Sequence, residues 1–171
     1  PLMQKESMSF VGLHPVPLIY GLTIGEYANM IAGENWLETE FKVDRKVIHC
    51  QNLARETEYV LPIAPSPNLP NMAAIKAYPS LALFEGTVIS VGRGTDLPFQ
   101  QIGHPKLQGA YTHSFTPQAA KGASNPKLKG EECYGLLLDK ALDSKNLDLH
   151  YLIEFYSQYP DKDNFFNNYF H

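Results

Sequence analysis

Between Tyr59 and Pro70 the chain carries prolines at 62, 65, 67 and 70, and no other stretch limits the fold so strongly. Each proline fixes φ and removes a backbone donor, so neither a helix nor a central strand can run through the segment. It must be a stiff, ordered loop. Upstream, residues 9–13 and 17–20 read as extended pieces broken at His14-Pro15, because a residue before proline is pushed out of the helical region. Thr23-Ile24-Gly25-Glu26 has the form of a capping box, and Tyr27, Met30, Ile31 and Leu37 follow on one face, which predicts a helix over 24–37. Gly33 weakens its second half. Residues 41–43 and 46–51 have the alternation and β-branching of a strand or hairpin.

Downstream, Asn71 is placed to cap a helix over 72–78 that Pro79 stops. Residues 81–84 and 88–90 read as strands either side of Glu85-Gly86-Thr87. Further strands are expected at 98–102, 111–115 and 134–138, with a long surface loop over 117–130. A last helix is expected over 147–159, where Leu149, Leu152, Ile153 and Tyr156 share a face and Asp148 favours the N-terminus. This order predicts one α+β domain over 1–171, with a mixed or antiparallel sheet and flanking helices. Pro1 in place of Met, and the aromatic run over 165–171, read as the cut ends of a fragment of a longer chain.

A formal charge of −4, from 14 basic and 18 acidic residues that are scattered, lacks the basic excess that a phosphate backbone demands. Nucleic acid is not an expected partner. The apolar runs are far shorter than the roughly 20 residues of a membrane-spanning helix. Cys50 and Cys133 have no zinc-type spacing, so no metal is expected; they read as buried small hydrophobes, or as a pair if the compartment is oxidising. Gly92-x-Gly94 lacks the third glycine of a dinucleotide fingerprint, no Gly-Lys-Ser/Thr is present for a phosphate loop, and no nucleophile elbow marks a serine hydrolase.

Two polar segments stand out. Pro65-Ser66-Pro67-Asn68-Leu69-Pro70 presents Ser66 and Asn68 from a loop of low conformational entropy, either toward a ligand or in an Asx turn. Glu85, Thr87, Ser90, Arg93 and Thr95 bring a carboxylate, a guanidinium and hydroxyls into one short stretch. Arg93 between glycines offers a planar fork for a carboxylate, or else a loop-fixing ion pair with Glu85. His104 follows this stretch closely and is the foremost functional candidate among His14, His104 and His113, each of which has a structural reading as well. Phe115 reads as core, whereas Tyr111 fits either core or a sugar-stacking face.

Taken in order, Phe10-Val11-Gly12-Leu13, Gly21 to Glu26, Pro65 to Pro70, Tyr78-Pro79, Phe84-Glu85-Gly86-Thr87, Ser90, Gly92-Arg93-Gly94-Thr95, Pro98-Phe99 and Ile102-Gly103-x-Pro105 resemble the signature of the bacterial exo-β-N-acetylmuramidases. The resemblance implies the C-terminal lobe of a two-lobed enzyme whose Rossmann-like N-terminal lobe, carrying the proposed catalytic glutamate, is absent from this chain. It implies a glycosidase that releases N-acetylmuramic acid from non-reducing ends of peptidoglycan fragments, acting in the periplasm or after secretion, without a cofactor. The fragment alone is expected to be inactive. Its partners would be muramyl saccharides and the missing lobe. In this reading Arg93 binds the lactyl carboxylate, Ser66, Asn68, Thr87, Ser90, Thr95 and His104 bind substrate, and Glu85 is a second carboxylate or an orienting group. The competing class is a non-catalytic carbohydrate-binding module.

Overall fold

The computed structural model describes residues 12–37, 39–41, 43–138 and 146–167. The chain forms two compact units, Pro1–Tyr59 and Val60–His171, where the sequence pattern reads as one domain.

In the first unit, α1 spans Ile24–Gly33 and its capping box is complete: Glu26 N–H donates to Thr23 Oγ1 at 3.2 Å, and Thr23 N–H donates to Glu26 Oε2 at 2.8 Å. These bonds satisfy two of the orphan donors of a helix start. Arg55 closes the same corner by pairing with Glu26 and the Gly21 carbonyl. A small aromatic cluster follows, with His14 stacked on Trp36 and hydrogen-bonded to the Tyr27 hydroxyl at 2.8 Å. The helix ends at Gly33, short of the predicted Leu37. The strands expected over 41–43 and 46–51 do not form among the described residues; Phe41 and Ile48 are exposed. β-branched residues favour strands only where a partner supplies a ladder and a face to bury. Most of the piece expected over 9–13 lies outside the described residues.

In the second unit, α2 spans Met72–Leu81, and the Asn71 side chain caps it by accepting from Ala74 N–H at 2.9 Å. Pro79 does not stop this helix but lies inside it. A proline inside a helix costs about 3 kcal/mol in principle. Burial of Ala77, Ser80 and Leu81 around it, and of Phe84 on the 3₁₀ turn Ala82–Gly86 that continues the helix, offsets that cost. Residues 81–84 are therefore helical, not a strand. Short apolar runs look alike in either state, and here packing decides. Residues 88–90 form no strand of their own; single bridges link Thr87 to Phe166 and Ser90 to Gly103.

The sheet is antiparallel with the order β1-β3-β2: β1 is Gln101–His104, β2 is His113–Phe115 and β3 is Cys133–Leu137. α3 spans His150–Gln158, one to three residues inside its predicted limits, and Asp148 Oδ1 accepts from His150 N–H at 2.8 Å. Leu81 and Ala77 from α2, Phe84, Ile89, Ile102 from β1, Phe155 from α3, Tyr159 and Phe165 form one core. Phe155 joins its layers, edge-on to Phe84 and stacked on Tyr111, so Tyr111 belongs to the core side of its two readings. Among the described residues no helix is long and apolar enough to cross a membrane. Cys133 is buried in β3 and Cys50 is exposed, both as free thiols.

Candidate functional site

The 3₁₀ turn after α2 delivers Glu85, and the tight turn after the Ser90 bridge delivers Arg93. Gly92 and Gly94 flank Arg93 with φ of 73° and 84°, a region open to glycine at little cost. Gly94 also admits close contact, because a Cβ there would lie 2.6 Å from the Pro126 side chain. Gln118 N–H donates to the Gly94 carbonyl at 2.8 Å, which docks the Arg93 turn on the 117–130 connection.

Between them lies an open polar cavity of about 220 Å³ lined by Glu85, Ser90, Val91, Arg93 and residues 122–127. Arg93 Nη1 meets Glu85 Oε1 at 3.3 Å, and Nη2 reaches the Gly122 carbonyl at 3.4 Å. Both contacts are long for N–H···O bonds. Arg93 Nε is enclosed and has no hydrogen-bond partner. The side chain is nevertheless 39% exposed, so the Nη end faces solvent. Asn68 Nδ2 donates to the same Gly122 carbonyl at 2.8 Å, so that oxygen stays satisfied if Arg93 turns away.

Lys127 forms the floor on the other side, its ammonium donating to the carbonyls of Phe84, Thr87 and Ile89. Burial lowers its pKa from the usual lysine value, Glu85 raises it and Arg93 lowers it again. Asn167 reinforces the turn by donating to the Glu85 and Thr87 carbonyls at 2.9 and 3.2 Å.

The predicted site residues thus divide. Glu85, Ser90 and Arg93 line the cavity, and Asn68 adjoins it through Gly122. Ser66 accepts from Asn68 N–H at 3.2 Å, a turn contact within its own loop. Thr87 is fully buried and ties its hydroxyl to the Phe84 carbonyl. Thr95 closes its turn on the Gly92 carbonyl at 2.7 Å and accepts from Gln101 Nε2. Ser90 is itself almost fully buried, with Oγ accepting from Gly92 N–H. Lys127, Ser124 and Asn125 escaped the sequence reading because the loop that carries them shows no chemical motif. Its Gly122, Ser124, Asn125 and Pro126 were the one available signal.

His104 lies away from this cavity. Its Nδ1 accepts from Lys106 N–H at 3.0 Å, capping the short 3₁₀ turn Pro105–Leu107, and its ring meets Tyr159 edge-on. Burial first, then the charges of Lys106 and Lys127, lowers its pKa from 6.5 to about 4. The unfolded chain therefore binds the extra proton in that interval and the folded chain does not, so the contribution of neutral His104 to stability is present above pH 6.5 and is lost as pH falls through about 4. Equilibrium urea unfolding of the wild type is expected to show stability declining over that window. His104→Gln should flatten the decline; an unchanged slope would remove His104 as its source.

Comparison with known proteins bears on what this cavity serves. The model described as exo-β-N-acetylmuramidase NamZ, N-terminal, matches residues 1–73, and the model described as its C-terminal counterpart matches residues 76–171. The resemblance read from the sequence assigned the whole chain to the C-terminal half, whereas the first unit matches the N-terminal model. A Bacillus subtilis (strain 168) protein named peptidoglycan β-N-acetylmuramidase NamZ is 42% identical over 109 residues, which is 63% of this chain and 26% of that protein. A crystal structure of a DUF1343 family protein from Bacteroides fragilis superposes with a TM-score of 0.91 at 45% identity, covering 99% of this chain and 49% of that one. The chain thus spans about a quarter and about half of the two relatives' lengths. With the C-terminal model alone matching more than half of its residues, the chain belongs to the exo-β-N-acetylmuramidase NamZ family.

Proposed function

We infer that this chain is part of a glycoside hydrolase that releases N-acetylmuramic acid from the non-reducing ends of peptidoglycan fragments, and that its second unit binds the muramyl sugar. The observation that carries the reading is the state of Arg93. A guanidinium kept only to fix a loop satisfies its enclosed donors; Arg93 has an unpartnered Nε, two long contacts and an Nη end open to a polar cavity. Muramic acid differs from glucosamine by a lactyl ether that ends in a carboxylate, and a guanidinium recognises a carboxylate through paired, charge-assisted hydrogen bonds.

In this role Arg93 trades its 3.4 Å contact with Gly122 for the ligand, while Asn68 keeps the Gly122 oxygen paired. Glu85 orients the guanidinium from the opposite side. The glycosidic chemistry calls for a general acid and a second group that attacks or activates water. In this reading the second unit supplies sugar binding, and the general acid comes from elsewhere in the complete protein. A peptidoglycan substrate places the complete protein in the periplasm or outside the cell.

The test is hydrolysis by the complete natural protein, read as release of the non-reducing sugar, of N-acetylmuramyl-N-acetylglucosamine (giving N-acetylmuramic acid) and of chitobiose (giving N-acetylglucosamine) as the comparison. Release from the muramyl disaccharide and none from chitobiose supports the reading. Equal release from both denies the carboxylate its part, and binding of the muramyl sugar without release makes the protein a carbohydrate-binding module.

A further inference from the structure

We propose that Lys127 is a positioning and specificity-determining residue of the Arg93 cavity: it holds the backbone that carries Glu85 and supplies a second positive charge, so that the cavity takes an anionic substituent. The proposal rests on the reading of the cavity as a muramyl site.

Its first support is stoichiometric. A lysine ammonium has three donors, and all three of Lys127 are spent on the carbonyls of Phe84, Thr87 and Ile89. Those carbonyls bracket Glu85, so one side chain fixes both flanks of the turn that presents the carboxylate. Asn167 adds a neutral donor to the same turn. With no donor left over, Lys127 does not hydrogen-bond a ligand; it acts through backbone placement and through charge.

The second support is the charge balance of the lining. Arg93 and Lys127 face one carboxylate, Glu85, among otherwise neutral residues. Lys127 is half-buried, and partial removal from water lengthens the reach of its charge. A net positive cavity of this kind favours a carboxylate over the neutral hydroxyl that stands at the same position in glucosamine.

The third support is that the ammonium is not required merely to satisfy the carbonyls it touches. Phe84 O also accepts from Thr87 N–H and Oγ1, and Thr87 O also accepts from Asn167. A neutral donor at position 127 is enough for the remaining carbonyl of Ile89, which makes Lys127→Gln a fair probe of charge.

The experiment measures KM and kcat of the complete protein on N-acetylmuramyl-N-acetylglucosamine and on the methyl ester of its lactyl carboxylate. Lys127→Gln is expected to raise KM for the acid about tenfold, equivalent to 1.4 kcal/mol, against a rise of at most about threefold for the ester, the part that comes from a loosened Glu85 turn. Lys127→Arg, which keeps the charge, should restore preference for the acid. A rise shared equally by acid and ester marks a purely structural lysine and overturns the proposal, as does an unchanged KM for both. If Lys127→Gln fails to fold, Lys127→Arg decides: retained acid preference supports the proposal and lost preference overturns it. A wild-type enzyme that treats acid and ester alike overturns the muramyl-site reading itself, a result distinct from selectivity that survives the loss of Lys127.

Discussion

Arg93→Ala in the complete protein is expected to lower kcat/KM on the muramyl disaccharide by roughly 10- to 150-fold, the range that corresponds to losing about 1.5–3 kcal/mol from a hydrogen bond to a charged group. Two features set the direction. The wild-type guanidinium has little of its bonding capacity spent inside the protein: its contacts at 3.3 and 3.4 Å are long and Nε has none. Removing it therefore costs the fold little. The Gly122 carbonyl keeps Asn68, and Glu85 is 40% exposed and open to water. The loss should fall on substrate recognition, with a melting temperature close to wild type. Arg93→Lys should recover only part of the loss, because an ammonium is a point charge that lacks the planar fork. A variant with full activity and normal stability would remove Arg93 from the site; a variant that melts early would make the Glu85 pair structural.

Local chemistry was legible where it is local in origin. The Thr23 to Glu26 capping box, the Asn71 cap and the strands expected over 111–115 and 134–138 rest on neighbouring residues, and each has its counterpart in the structure, whereas the strand expected over 98–102 forms over 101–104 after a turn at 98–100. Pro79 shows the limit of such reasoning. A helix through proline is unfavourable by itself, and it forms here because the residues after it, Ser80, Leu81 and Phe84, are buried. Likewise, 41–43 and 46–51 have strand composition without a strand among the described residues, since a ladder needs a partner that no composition supplies.

The candidate site divides along the same line. Glu85 and Arg93 lie eight residues apart, so their proximity could be read as one cluster, and their 3.3 Å contact agrees with it. Thr87, Thr95 and His104 have the right chemistry in the same stretch, yet their polar atoms serve turns and caps. Distance along the chain cannot separate these roles; only the direction of each side chain does. Lys127 is the converse case. Its ammonium meets carbonyls some 40 residues away in sequence, a closure made by the docking of the 117–130 connection on the Arg93 turn.

The largest effect on stability is expected from a single methyl group at Gly135. Glycine in the middle of a strand ordinarily weakens it. Here Gly135 lies on the central strand β3, opposite Gly103 of β1 and His113 of β2. A Cβ at Gly135 would run into the Ile102 carbonyl oxygen and would stand 2.7 Å from Gly103 Cα, atoms of backbone that cannot swing aside as a side chain does. Relief requires β1 and β3 to part, and Ile102 on β1 is fully buried in the core. Gly135→Ala should therefore destabilise the second unit by more than about 4 kcal/mol, the range reserved for severe backbone or core disruption. Gly130→Ala is the control, because Gly130 has a φ of 81° but nothing within 4 Å of an added Cβ. It should cost only the left-handed penalty of about 1–2 kcal/mol. Urea unfolding of the two variants separates the causes: a large loss at 135 with a small one at 130 identifies strand approach as the constraint. Equal small losses would show that β1 and β3 yield, and that the close pairing which carries Ile102 into the core is soft.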